Sequence, residues 1–216
     1  MPSQQRRLPL FPLNSVLFPN ASMPLQIFEE RYKLMLKDCL DADSMLGVVL
    51  IKSGSEVGEP AEPHSTGTLA HIVQASEIDG GRYFISVTGQ QRFRIERIAS
   101  YRPYISAEVE LLEEDPEAWL PQTEMDVIRQ AVTDYARLIT GLRGGWVRRA
   151  LGPSDPLALS YHIAGVLQIE PAEKQTLLEQ QTAAKRLESE LDILRRDSEA
   201  LRNRLALDFM SRFSRQ

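Results

Sequence analysis

Three histidines, one cysteine and five lysines supply the imidazole, thiol and amine groups of this 216-residue chain, and their spacing decides what chemistry they can carry. His64, His71 and His162 with Cys39 lack the closely spaced ligand pairs of a zinc site. None of Lys33, Lys37, Lys52, Lys174 and Lys185 follows a glycine. The Gly-Lys pair that cradles phosphates in a Walker loop is therefore missing, and that ATPase chemistry with it. No Gly-x-Ser-x-Gly elbow occurs, and no lysine has a serine partner at a recognisable motif spacing. Glu29-Glu30 and Glu113-Glu114 are adjacent pairs, which by themselves do not make the opposed carboxylates of acid–base catalysis. The sequence thus predicts no catalytic residues, no metal and no cofactor, although groups converging from distant positions would leave no such pattern.

What remains is binding chemistry. Arg92, Arg94 and Glu96 alternate with Phe93 and Ile95, which makes a strand with one charged face. That face suits nucleic acid, with Arg82 nearby, or it is a solvated sheet face pairing with Glu108 and Glu110. Arg143, Arg148 and Arg149 surround Trp146, an arrangement that fits a phosphate or base, or a tryptophan packed between lobes with its arginines in solvent. The net charge of −5 argues against a general polyanion binder, so nucleic acid is not the expected partner. The lone Cys39 cannot close an intrachain disulfide, and its place on an apolar helix face predicts a core thiol.

Residues 8–32, LPLFPLNSVLFPNASMPLQIFEERY, hold the densest signals. Pro9, Pro12, Pro19 and Pro24 forbid a long helix and a central strand, so short strands near a sheet edge are expected, with Met23 to Phe28 as one of them. Glu29 and Glu30 then open a helix whose buried face is Tyr32, Met35, Leu36, Cys39 and Leu40. Residues 46–51, LGVVLI, read as a strand buried on both faces. Residues 53–65 form a long loop containing Val57 and His64. Strands follow over residues 66–76, 82–88, 92–98 and 101–112, with turns at Asp79-Gly80-Gly81 and Gly89-Gln90.

Beyond the acidic stretch at residues 113–117 the apolar period changes from two to 3.6. Thr123 caps one helix, Asp155 with Pro156 starts a second, Pro171 a third and Thr182 a long fourth. Leu187, Leu191, Leu194, Leu201 and Leu205 make a heptad seam broken by Ser198, which needs a partner: the preceding helices or a second subunit. Leu207, Phe209, Met210 and Phe213 prolong it. His162 is expected as a satisfied interhelical histidine. No apolar run approaches the roughly 20 residues of a membrane span, and no secretory signal is evident, so a cytoplasmic protein without membrane contact is expected.

The segments LPLFPL, LFP and PLQIFEERY, then GTLAHIVQ, GRYFISVTGQQRF, PYISAEVE, DPLALSYHIAGVL and EKQTLLE, resemble in order the amino-terminal substrate-binding domain of Lon proteases, over roughly residues 8–190. Similar modules occur in cereblon-like proteins. The resemblance implies an α+β fold: a PUA-like pseudobarrel of short β-strands with one helix over residues 7–115, then an α-helical bundle over 116–216 ending in a long helix. It implies a noncatalytic module that binds unfolded or degron-bearing polypeptides, the ATPase and peptidase domains not following in this chain. The alternatives are a PUA-like RNA binder and an adaptor acting through its last helix. Polypeptide contacts are expected from Met23, Leu25, Ile27, Val57 and His64. Pro12, Pro19, Phe28, Glu29, Arg31 and Tyr32 form the family's structural signature, with Glu29 or Glu30 paired to an arginine.

Overall fold

Prolines shape the first strand without expelling it from the sheet. The computed structural model describes residues 5–58, 61–114, 120–142, 145 and 152–213, with side chains described from residue 6 to residue 206. Its first strand, β1 (Gln5–Leu13), lies between two neighbours rather than at an edge. It changes partner midway: residues 5–9 pair antiparallel with β6 (Ser106–Leu111), and residues 10–13 pair parallel with β3 (Met45–Ser53). Each half thus has one side free of ladder bonds, and Pro9 and Pro12 are accommodated there although each lacks an N–H. This corrects the edge expected of that run.

The strand order is β2-β5-β4-β3-β1-β6, where β2 is Ser22–Ile27, β4 is Glu62–Ile78 and β5 is Arg82–Ser100. Because β5 pairs with β6 as well as β4, five strands make a ring of pairings, with β2 added outside the first half of β5. Two of these strands are long, not short. The turn expected at Gly89-Gln90 is instead a bulge within continuous β5, where the pairing with β4 shifts between Leu69 and Ala70. A Cβ on Gly89 would lie 2.3 Å from the Phe18 carbonyl oxygen, so only glycine lets the two backbones approach.

Helix α1 (Glu30–Asp41) buries Tyr32, Met35, Leu36 and Cys39 against Leu25, Ile27, Val48, Ile85 and Val87. Each of the aliphatic and methionine side chains among them is worth about 1.5–3 kcal/mol of burial. Leu40 departs from the expected face and is exposed. A second apolar cluster, including Leu8, Leu10, Phe93 and Val109, lies within the same unit. β3 is buried along Leu46–Leu50, as LGVVLI predicts.

The chain divides into two compact units, Met1–Glu114 with Gln168–Glu179, and Asp115–Leu167 with Gln180–Gln216. Helix α4 (Pro171–Glu179) therefore returns to the first unit, where Gln175 donates to the Thr66 carbonyl at 3.0 Å. The second unit holds α2 (Gln122–Leu142), α3 (Pro156–Val166) and α5 (Ala183–Phe213). The Asp155 carboxylate accepts the Ala158 N–H at 2.7 Å, the cap its sequence predicts. His162 is exposed rather than interhelical. On α5 the buried seam runs through Leu187, Glu190, Leu194 and Ser198, so Leu191 is only half-buried. The Arg143, Trp146, Arg148 and Arg149 cluster lies outside the described residues, as do the side chains of Leu207, Phe209, Met210 and Phe213.

Candidate functional site

Among the described residues β2 pairs with β5 alone, which leaves one side of its backbone without a strand partner. The turn before it fixes its direction: the Ala21 N–H donates to the Phe18 carbonyl at 3.1 Å, with Pro19 second and Asn20 at φ 64° third. A left-handed third residue is the requirement of a type II turn, and proline is favoured second. Gly89 donates its N–H to Ala21 at 2.9 Å, and its carbonyl accepts from Asn20 at 2.9 Å. Continuing that alternation makes Met23–Val87, Leu25–Ile85 and Ile27–Tyr83 the hydrogen-bonded pairs. The N–H groups of Ser22 and Gln26 and the carbonyl of Pro24 then face the free side. The close approach of the Ser22 and Thr88 hydroxyls, 3.3 Å, fits a pair of the other kind. Pro24 sits at an outward position, where its missing donor weakens no bond to β5.

The strand's end meets the head of α1 and the loop after β3. Glu29 lies within 3.2 Å of Arg31 and accepts the Gly58 N–H at 3.3 Å. Arg31 also donates to the Glu56 carbonyl at 3.3 Å, and the Glu56 carboxylate accepts the Asn14 N–H. The Arg31 guanidinium lies 4.5 Å from the centre of the Tyr32 ring, which in turn packs on Phe11 with centroids 4.5 Å apart. Burial pushes the Tyr32 hydroxyl above its ordinary range, against the pull of Arg31, so the ring stays neutral. The residue preceding each partner of the Glu29–Gly58 link is apolar and open: Phe28 is 49 % exposed and Val57 55 %. Phe84, on β5 opposite Gln26, is a third exposed apolar side chain. An unpaired backbone side with apolar anchors beside it can add an extended peptide as a further strand.

Of the residues the sequence nominates for polypeptide, Val57 is exposed and Met23 half-buried. Leu25 and Ile27 face the core and offer a ligand only their strand's backbone. His64 belongs to β4, with Nδ1 3.8 Å from Glu179 of α4, because the loop is shorter than residues 53–65 and β4 begins at Glu62. Pro12, Pro19 and Tyr32 are buried and Glu29 pairs with Arg31, whereas Phe28 is exposed rather than clamping the helix. Pro24, Gln26 and Phe84 were legible in principle. Period-two alternation with Leu25 and Ile27 buried puts the even-numbered residues of β2 outside.

The charged strand face is largely neutralised. Arg97 donates to Glu108 at 2.8 Å, Arg94 lies 3.9 Å from Glu110, and Arg92, buried, meets Glu114 at 2.6 Å and the Leu178 carbonyl at 2.8 Å. The cross-strand pairs with Glu108 and Glu110 are those the sequence predicts; the burial of Arg92 is not. Among the described residues no cluster of three His, Cys, Asp or Glu side chains could hold a metal ion. No described helix is long and apolar enough to cross a membrane.

A model of the ATP-dependent protease La (LON) substrate-binding domain matches residues 7–196. Lon protease 2 of Sorangium cellulosum is 29 % identical over 205 residues, covering 90 % of this chain and 25 % of that protein. Lon protease 2 of Myxococcus xanthus is 27 % identical over 199 residues, covering 90 % and 24 %. The chain thus spans about a quarter of the length of these relatives. A Lon N-terminal domain protein from Xanthomonas campestris superposes with a TM-score of 0.65 at 26 % identity, covering 87 % of this chain and 98 % of that one. The N-terminal domain of a Mycobacterium avium complex Lon protease shares the fold, with a TM-score of 0.59 at 20 % identity, covering 88 % and 98 %.

Proposed function

Because this chain belongs to the family of Lon substrate-binding domains, we propose that it is a noncatalytic module that binds unfolded or degron-bearing polypeptides along the free side of β2. The observation that carries the reading is the unpaired outer side of β2 beside exposed Phe28 and Val57. Backbone groups of Ser22, Pro24 and Gln26 supply sequence-independent hydrogen bonds to an extended chain. Phe28, Val57 and Phe84 supply apolar contacts that a folded, already buried segment cannot make. The Glu29–Gly58 and Arg31–Glu56 bonds hold the loop at the head of α1, so the anchors are arranged before ligand arrives.

Catalysis has no part in this reading. Binding of a labelled, permanently unfolded polypeptide tests it, with the same protein folded and a single-stranded RNA as controls. Saturable preference for the unfolded chain is the expected result. Equal binding of folded and unfolded forms, or preference for RNA, contradicts it.

A further inference from the structure

A recess of about 600 Å3 opens where the first half of β1, the end of α1, the start of β3 and the β5–β6 connection meet. Its floor is apolar: Leu8 and Cys39 are buried, and Met45 borders them. Burial, with help from Asp38 and Asp43, pushes the Cys39 thiol up to about 12, so the floor carries no charge there.

The charged groups of the lining are Arg6, Arg7 and Arg102 against Asp38 and Asp43, an excess of one positive charge. Arg6 is neutralised by its ion pair with Asp43. Asp38 accepts the Tyr104 hydroxyl at 2.7 Å. Arg7 donates only a long 3.3 Å bond to the Ser106 hydroxyl. Neither Arg7 nor Arg102 has a carboxylate at ion-pair distance among the described residues. Arg7 and Arg102, both exposed, line this apolar recess, and two guanidinium groups beside an apolar surface suit one anion on an apolar body, since guanidinium binds a carboxylate through paired N–H bonds. The volume lies within the range of small-ligand sites, about 300–1,000 Å3.

We propose that this recess binds a carboxylate carried on an apolar body, with Arg7 and Arg102 taking the carboxylate and Leu8, Cys39 and Met45 the body. Two sources share that chemistry: a free small-molecule acid, and the carboxyl-terminal residue of a polypeptide. Asp38 is placed to orient a donor next to the acid, such as an amide N–H. The site is separate from the β2 edge, so losing it leaves the reading of β2 untouched.

The test is calorimetric titration of the full chain with N-acetyl-L-phenylalanine and with its carboxamide, and with a short peptide ending in phenylalanine as acid and as amide. The expected result is saturable binding of an acid, at least about tenfold weaker for the matching amide, and a similar loss in Arg102→Gln, whose exposed side chain leaves the fold alone. Arg7→Gln should reproduce the loss. Binding of the free acid without the peptide assigns the recess to small molecules; tighter binding of the peptide acid assigns it to chain ends. Equal binding of acids and amides, no binding of either acid, or full affinity in both arginine variants overturns the proposal.

Discussion

Glu29 and Gly58 are joined by a 3.3 Å hydrogen bond from the glycine N–H to the carboxylate, which ties the loop after β3 to the first residue before α1. Gly58 takes φ 95°, a conformation side chains other than glycine's rarely adopt, so the amide is turned toward Glu29 by a backbone only glycine holds cheaply. Val57 and Phe28 therefore flank a linked pair of residues and not a free loop.

Glu29→Ala removes that link together with the ion pair to Arg31. A charge-assisted bond of this kind is worth about 1.5–3 kcal/mol. Faster amide exchange confined to residues 54–58 and weaker polypeptide binding are the expected outcomes, with global stability lowered by no more than that amount. Exchange mass spectrometry on the loop peptide checks it.

Arg92 is a structural anchor despite its place in a charged-looking strand. Its guanidinium meets both Glu114 and the Leu178 carbonyl from a buried position. Arg92→Ala should destabilise the protein by up to about 3–5 kcal/mol, because it takes the buried cation away from Glu114 and the donor away from the Leu178 carbonyl. Arg92→Lys should recover little of this, since a single ammonium does not reproduce the planar fork. Urea unfolding of both variants measures the difference.

Gly89→Ala tests the bulge in β5. The added Cβ meets the Phe18 carbonyl, and neither backbone can retreat without breaking the β2–β5 register. A loss of about 1–3 kcal/mol is expected, typical of overpacking. A thermal midpoint equal to that of the parent would place the two backbones farther apart than this structure has them.

Glu190 gives the helical unit a pH dependence. It is fully buried on α5, and desolvation holds its carboxyl well above the usual range, against the opposing pull of Arg186 and the Ala164 amide. Neither carboxylate oxygen makes a hydrogen bond of ordinary geometry among the described residues. A folded value above the unfolded one means the native state binds the extra proton. Its stabilisation is therefore complete below the ordinary glutamate range and is lost as pH rises through the folded value. Glu190→Gln should remove that slope and raise stability at neutral pH; denaturation midpoints of parent and variant at about pH 5 and about pH 8 show it. Parallel curves for the two proteins would contradict it.

Sequence patterns revealed most elements because local chemistry governs them: Asp155-Pro156 starts α3, Gly80-Gly81 turns β4 into β5, and LGVVLI is buried in β3. Three features escaped because they depend on distant partners. β1 tolerates its prolines by changing neighbours midway, a fact of topology. Arg92 is buried because α4 returns to the strand, and no alternation pattern can report a segment more than eighty residues away. Glu190 occupies the seam position that a leucine repeat gives to Leu191, since which helix face is covered depends on α2 and α3. Within the candidate site, the run from Met23 was legible as an edge, but its buried and open faces follow from the register with β5.

The free side of β2 is tested most directly by Gln26→Pro and, in a separate variant, Phe28→Ser. The Gln26 N–H faces away from β5, so proline removes an outward donor and no ladder bond. Affinity for a permanently unfolded polypeptide should fall at least about tenfold in each variant while the thermal midpoint stays within about 2 °C of the parent. Undiminished binding by both well-folded variants would contradict β2 as the polypeptide-binding edge.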